Sequence, residues 1–288
     1  MSTVRDWLSL VRFSHSVFAL PFALCGAWLA ANGPPGLATL ALIVVCAVSA
    51  RTAAMAFNRF ADRGIDAQNP RTRARELPAG RVGVVAVVVL VVVSSAVFVA
   101  AAFALNTLAG RLSLPVLAVL LGYSLVKRVS QLAHVVLGIA LALAPLGAWI
   151  AVRGSFDGGL APILWLALAV VTWVAGFDLI YACQDAEFDA QSGLHSIPGK
   201  RGVAFSLRLA RALHAATVAS LALVGASAHL GLAWWIAVGV AAILLVWEHS
   251  LVSPTDLSRV NAAFFTVNGW VGIGLFAGLA IDRAASVA

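Results

Sequence analysis

Residues 83–105 read GVVAVVVLVVVSSAVFVAAAFAL and contain no charged side chain. The apolar residues run on without the alternation of a half-buried strand, and the run is long enough for a helix to cross about 30 Å of hydrocarbon. Similar runs lie on either side of it. Together they predict nine transmembrane helices, at 14–32, 36–58, 83–105, 112–127, 132–152, 160–182, 204–228, 230–251 and 261–281, the fourth being short. Breaks fall at Gly33-Pro34-Pro35, Pro70, Pro78 to Gly83, Asn106, Gly154 to Gly159, Pro198 to Gly202 and Pro254. Composition agrees: 62% of residues are hydrophobic and 11% charged, against about 25% charged in soluble domains. The expected fold class is therefore an all-α integral membrane protein, a single domain over 1–288, with no cleavable signal peptide. The stretch from Asp6 to Phe13 mixes Trp7, Leu8, Leu10 and Val11 with Arg12, the pattern of an interfacial helix.

The net charge of +7 invites a nucleic-acid partner, but the placement of the basic residues argues against one. With the N-terminus inside, fifteen Lys and Arg residues fall on the cytoplasmic side, and only Arg111, Arg153 and Arg283 on the other. That bias predicts a cytoplasmic N-terminus in a cell (inner) membrane. Cys25, Cys46 and Cys183 have no C-x-x-C spacing and read as small core residues.

Against this background the acids stand out. Asn58-Arg59-Phe60-Ala61-Asp62-Arg63-Gly64-Ile65-Asp66 and Asp178-Leu179-Ile180-Tyr181-Ala182-Cys183-Gln184-Asp185-Ala186-Glu187-Phe188-Asp189 hold six of the chain's 12 acids. Each ends in D-x-x-x-D, which puts two carboxylates on one helix face. The topology sets both on the cytoplasmic side, after the second and sixth spans. Carboxylates are costly near a bilayer, so their grouping points to a function. Magnesium takes oxygen ligands, commonly one or two carboxylates plus substrate phosphates. Asn58, Asp62 and Asp66 form one candidate metal set, and Asp185 and Asp189, with Asp178 as a further candidate, the other. The plainer reading is that these acids pair with the arginines beside them.

Those arginines would also suit a diphosphate. Arg71, Arg75, Lys127 and Arg128 flank the clusters, and arginine grips phosphate bidentately. Arg51 lies inside the second span, seven residues before Asn58 and on the same helix face. Arg12 and His15 precede the first span and are candidates to face the same site. His195, in Gly193-Leu194-His195-Ser196-Ile197-Pro198, is a candidate for a lid.

With these motifs in view, the chain resembles the UbiA superfamily of intramembrane prenyltransferases. The family's N-D/R-x-x-D-x-x-x-D motif is matched at 58–66, with Arg59 in place of a possible acidic ligand. Its D-x-x-x-D motif is matched by Asp185 and Asp189, and its Y-x-x-x-K motif by Tyr123 and Lys127. The stretches at 12–23, 69–80 and 181–198 are similar to the 4-hydroxybenzoate polyprenyltransferase subgroup. The resemblance implies a helical bundle around a central cavity and an Mg2+-dependent electrophilic aromatic substitution. A polyprenyl diphosphate would donate its chain to a small aromatic acid, 4-hydroxybenzoate, or in the alternative a dihydroxynaphthoate of the futalosine route to menaquinone. It implies that Lys127, Arg71 and Arg128 neutralise the leaving diphosphate and that Tyr123 steadies the cation or positions the donor. Arg51 or Arg12 would hold the acceptor's carboxylate, and Asp178 or Asp189 would take the ring proton. No obligate protein partner is implied.

Two readings from other classes compete. A transporter for an anionic substrate would use the same basic pocket, but its acids belong at mid-membrane. A CDP-alcohol phosphotransferase would show D-G-x-x-A-R, which is absent here.

Overall fold

The computed structural model describes residues 3–11 and 16–286, so Arg12 and His15 lie outside the described residues. Among those residues the chain is helical, with one isolated β-bridge between Ser253 and Asp256. A short α1 (Val4–Leu10) is closed by a capping box between Thr3 and Asp6. It is followed by α2 (Ser16–Ala31), α3 (Leu37–Gln68), α4 (Val84–Leu105), α5 (Thr107–Val126), α6 (Ala133–Arg153) and α7 (Ala161–Ala182). A 3₁₀ turn at Cys183–Asp185 leads to α8 (Ala186–Gln191) and α9 (Ile197–Arg201). The chain ends with α10 (Val203–Ser227), α11 (Leu232–Ser250) and α12 (Val260–Ala285), the last interrupted by a π-helical turn at Ala263–Val267.

Eight of these helices are long and apolar enough to cross a membrane. The expected first span instead gives the shorter α2. The expected fourth span is longer than read, because α5 begins five residues earlier, at Thr107. Its N-cap is Asn106, whose side chain accepts from the Ala109 N–H at 2.8 Å. The same amide donates to the Ile150 and Ala151 carbonyls at 2.9 and 3.2 Å, tying α5 to the end of α6. Arg111, read as loop, therefore sits inside a helix.

The outer surface is what lipid requires. Val85, Val89, Val92, Ile243 and Val246 are each more than half exposed, a pattern that water would penalise. This is a multi-pass membrane protein. Inside, α7 is the central element, packed between α6 and α10. Trp173 on α7 is fully buried, with Phe22 and Phe177 rings 4.9 Å away. Glycines allow the closest approaches: a Cβ on Gly138 of α6 would lie 2.5 Å from the Val171 carbonyl oxygen of α7.

A second buried feature joins the last helices to α7. Asn268, fully buried, accepts from Trp173 Nε1 at 2.6 Å and donates to Glu248 Oε1 at 2.8 Å. It also donates to the Ala263 and Phe264 carbonyls at 3.2 and 3.3 Å, within the π-turn. His214 completes the group, with Nδ1 3.0 Å from His249 Nε2.

Candidate active site

Helix α3 has 32 residues, about 48 Å at 1.5 Å per residue, well beyond the hydrocarbon thickness. Its surplus carries Asn58 to Asp66 past the apolar part of the span. The second cluster is not one regular helix, as its spacing suggested. Asp178 lies on α7, Asp185 ends the 3₁₀ turn, and Asp189 lies on α8. Both clusters nevertheless face one cavity of about 730 Å³.

That cavity has two characters. Alanines, leucines and valines from α2, α3, α5 and α6 wall most of it, among them Ala47, Ala50, Leu112, Val116, Leu141 and Ala144. The polar wall contains Asn58, Asp62, Asp66, Arg71, Tyr123, Lys127, Asp178, Asp185 and Asp189, together with Arg51. Sequence reading had singled out all of these. Arg128 is not in the lining. It donates to the Ala61 carbonyl at 2.5 Å and stands 3.6 Å from Asp62, behind that carboxylate. His195 is not in the lining either. Its backbone N–H binds the Lys127 carbonyl at 2.9 Å, while Leu194 and Ser196 on either side reach the cavity.

Three of the acids, Asp62, Asp66 and Asp185, face a cation. Lys127 Nζ donates to Asp62 Oδ2 at 2.5 Å, and Asn58 donates to the same oxygen at 3.2 Å. Arg75 grips both oxygens of the buried Asp66, at 2.8 and 2.9 Å. Arg71 holds Asp185 through two nitrogens, the Nε contact being 2.8 Å, and donates to the Tyr181 hydroxyl at 3.0 Å. Asn69 adds a bond to Asp185 at 2.9 Å. Burial by itself would lower the Arg71 pKa, but Asp185 and then Tyr181 outweigh it and hold the guanidinium charged, above its ordinary value. His134 lies 2.7 Å from Asp178.

Sequence reading missed Asn69, Ser124, His134 and Tyr181 as site residues, and took Arg59 only as a lost ligand. Arg59 is buried and lines the cavity. Asn69 carried a signal in its N-P-R-T context, and His134 carried one as a histidine opening an apolar run. Tyr181 and Ser124 had none beyond their neighbours.

The donor set suits a hard cation. Among the described residues no three His, Cys, Asp or Glu side chains gather into a closed metal cage. Each cluster instead offers carboxylates toward open space, and Asp62 Oδ1 is buried without any hydrogen bond. An ion completed by phosphate oxygens fits that arrangement.

Comparisons with known proteins agree with this geometry. Proteins named 4-hydroxybenzoate octaprenyltransferase are 36% identical in Xanthomonas oryzae pv. oryzae, over 88% of this chain and 83% of theirs. The one from Pseudomonas aeruginosa is 33% identical, over 97% and 94%. The apo structure of a UbiA homolog from Aeropyrum pernix K1 superposes with a TM-score of 0.84 at 37% identity, covering 93% of this chain and 98% of that one. A UbiA homolog from Archaeoglobus fulgidus bound to DMAPP and Mg2+ shares the fold, with a TM-score of 0.73 at 18% identity over 97% and 99%. An enzyme family thus replaces the transporter reading. Residues 19–270 match the model of the UbiA prenyltransferase family, and this membrane protein belongs to it.

Proposed function

We propose that the protein transfers a polyprenyl group from an allylic polyprenyl diphosphate to a ring carbon of 4-hydroxybenzoate, in quinone biosynthesis. The observation that carries this reading is the divided cavity: two facing aspartate clusters beside an apolar chamber. The relatives named for that reaction support the acceptor.

Magnesium, when bound, supplies Lewis-acid charge to the diphosphate oxygens, and Asn58, Asp62 and Asp66 on one side and Asp185 and Asp189 on the other would hold it. Loading the site then exchanges partners. Lys127, Arg71 and Arg75 bind these carboxylates in the structure, and they would be free to bind phosphate with the carboxylates engaged by the ion. Their positive charge stabilises the diphosphate as the C–O bond breaks. Arg128, held by the Ala61 carbonyl, adds positive charge beside Asp62. The alanine and leucine walls keep water from the allylic cation. Tyr123 presents its ring to the cation, and Arg51 binds the acceptor's carboxylate. The basic bias of the loops supports a cytoplasmic site in the cell inner membrane.

The test is incubation of the purified protein with a polyprenyl diphosphate and magnesium, with 4-hydroxybenzoate and a dihydroxynaphthoate as separate acceptors, read by mass spectrometry. Prenylated hydroxybenzoate is expected. Prenylation of the naphthoate alone would move the enzyme to menaquinone synthesis, and no product with either would end the reading.

A further inference from the structure

His134 is the second residue of α6 and sits in the cavity wall. Its Nδ1 is 2.7 Å from Asp178 Oδ2 on α7. Asp178 also lines the cavity, about two helical turns before Asp185. The other imidazole nitrogen, Nε2, is buried and has no hydrogen-bond partner among the described residues. A buried ring nitrogen left without a bond is costly in a resting protein. Because His134 belongs to the cavity wall, a small rotation of its ring would bare Nε2 to a bound substrate that supplies the missing partner.

The pair has the logic of a carboxylate-oriented base. An Asp holding the Nδ1 proton fixes the tautomer and leaves a lone pair on Nε2. The other acids of the site have work of their own: Asp62, Asp66 and Asp185 each hold a basic side chain, and Asp189 belongs with Asp185 to the proposed metal set. His134 stands apart from those ion pairs and meets Asp178.

We propose that His134 is the catalytic base that removes the ring proton during transfer, with Asp178 as its positioning residue. The inference rests on an aromatic acceptor, as proposed above. The balance is simple. The allylic C–O bond breaks and diphosphate leaves with its electron pair. A ring carbon ortho to the hydroxyl forms the new C–C bond. The C–H bond at that carbon then breaks, its electrons return to the ring and the proton goes to His134 Nε2. No oxidant or reductant is involved.

The experiment uses the full-length protein with a polyprenyl diphosphate, magnesium, and 4-hydroxybenzoate with hydrogen or deuterium at both ortho positions. The unaltered protein is expected to show no effect of deuterium on the rate, because loss of the proton follows C–C bond formation and restores the aromatic ring. In His134→Gln the rate should fall about 100-fold, and the deuterated acceptor should now react measurably more slowly. Asp178→Asn should behave the same way. The isotope ratio is taken within one preparation, so partial misfolding does not affect it. A slow His134→Gln enzyme with no isotope effect would make His134 structural. A variant at full speed would assign the proton to another acceptor, such as the departing diphosphate. If the unaltered protein prenylates no arene, the proposed reaction fails, and this inference with it.

Discussion

Replacing Asp62 by Asn separates the fold from the chemistry. The Asp62 side chain is 3% exposed and receives Lys127 at 2.5 Å. Asparagine keeps its size and can keep one acceptor oxygen toward Lys127 and Asn58; it removes the charge and puts a donor amide where Oδ1 accepts no hydrogen bond. The two cations left behind, Lys127 and Arg128, are 32% and 40% exposed, so water replaces the lost partner. Pairs of that exposure are worth about 0–1 kcal/mol, so the variant should unfold within a few degrees of the parent. Transfer should suffer far more. Losing one preorganised electrostatic contact to a developing charge costs about 2.7–4 kcal/mol, or about 100- to 1,000-fold in rate. Initial rates of prenyl transfer across a magnesium titration, beside thermal unfolding of the same samples, make the measurement. A folded Asp62→Asn enzyme within tenfold of the parent at equal magnesium would refute a role for Asp62 in holding the ion.

Other outcomes follow from the same geometry. Arg71→Lys keeps the charge but loses the two-nitrogen grip, and should raise the donor KM by about 10-fold in steady-state kinetics. Chelation by EDTA should stop transfer, and added magnesium should restore it, in a product assay by mass spectrometry. Asn268→Leu should cost about 3 kcal/mol in thermal unfolding, because Trp173 Nε1 and Glu248 Oε1 both lose their partner. Gly138→Ala should cost about 1–3 kcal/mol by the same method, since the new methyl meets the Val171 carbonyl.

The spans that sequence reading placed well are those whose apolar run coincides with the helix. The run at 83–105 became Val84–Leu105 because nothing polar interrupts it. Hydropathy fails where a helix carries polar residues. Helix α3 continues ten residues past its expected end because the polar cluster Asn58 to Asp66, which lines the cavity, belongs to the same helix. At α5, Arg111 masked a start that the Asn106 cap defines. The two aspartate clusters were legible because acids are rare in this chain. Their cation partners were legible only as neighbours: the pairing of Asp62 with Lys127 spans 65 residues, and that of Asp185 with Arg71 spans 114. The His134–Asp178 contact joins two helices through single residues, a signal that spacing within one segment cannot carry.

The π-turn in α12 amounts to one surplus residue in an otherwise regular helix. Phe264 within it lies in the cavity wall, its ring 4.4 Å from Tyr181. Deleting one residue from the turn would restore α-helical register. Everything on the N-terminal side would then swing by about 100° relative to the membrane-embedded remainder. The surplus residue thus sets the phase of the short lead-in, Val260–Ala262, apart from that of the long helix after it. The long part, Asn268–Ala285, keeps its packing in the bundle, while the turn aims the Phe264 ring at the cavity.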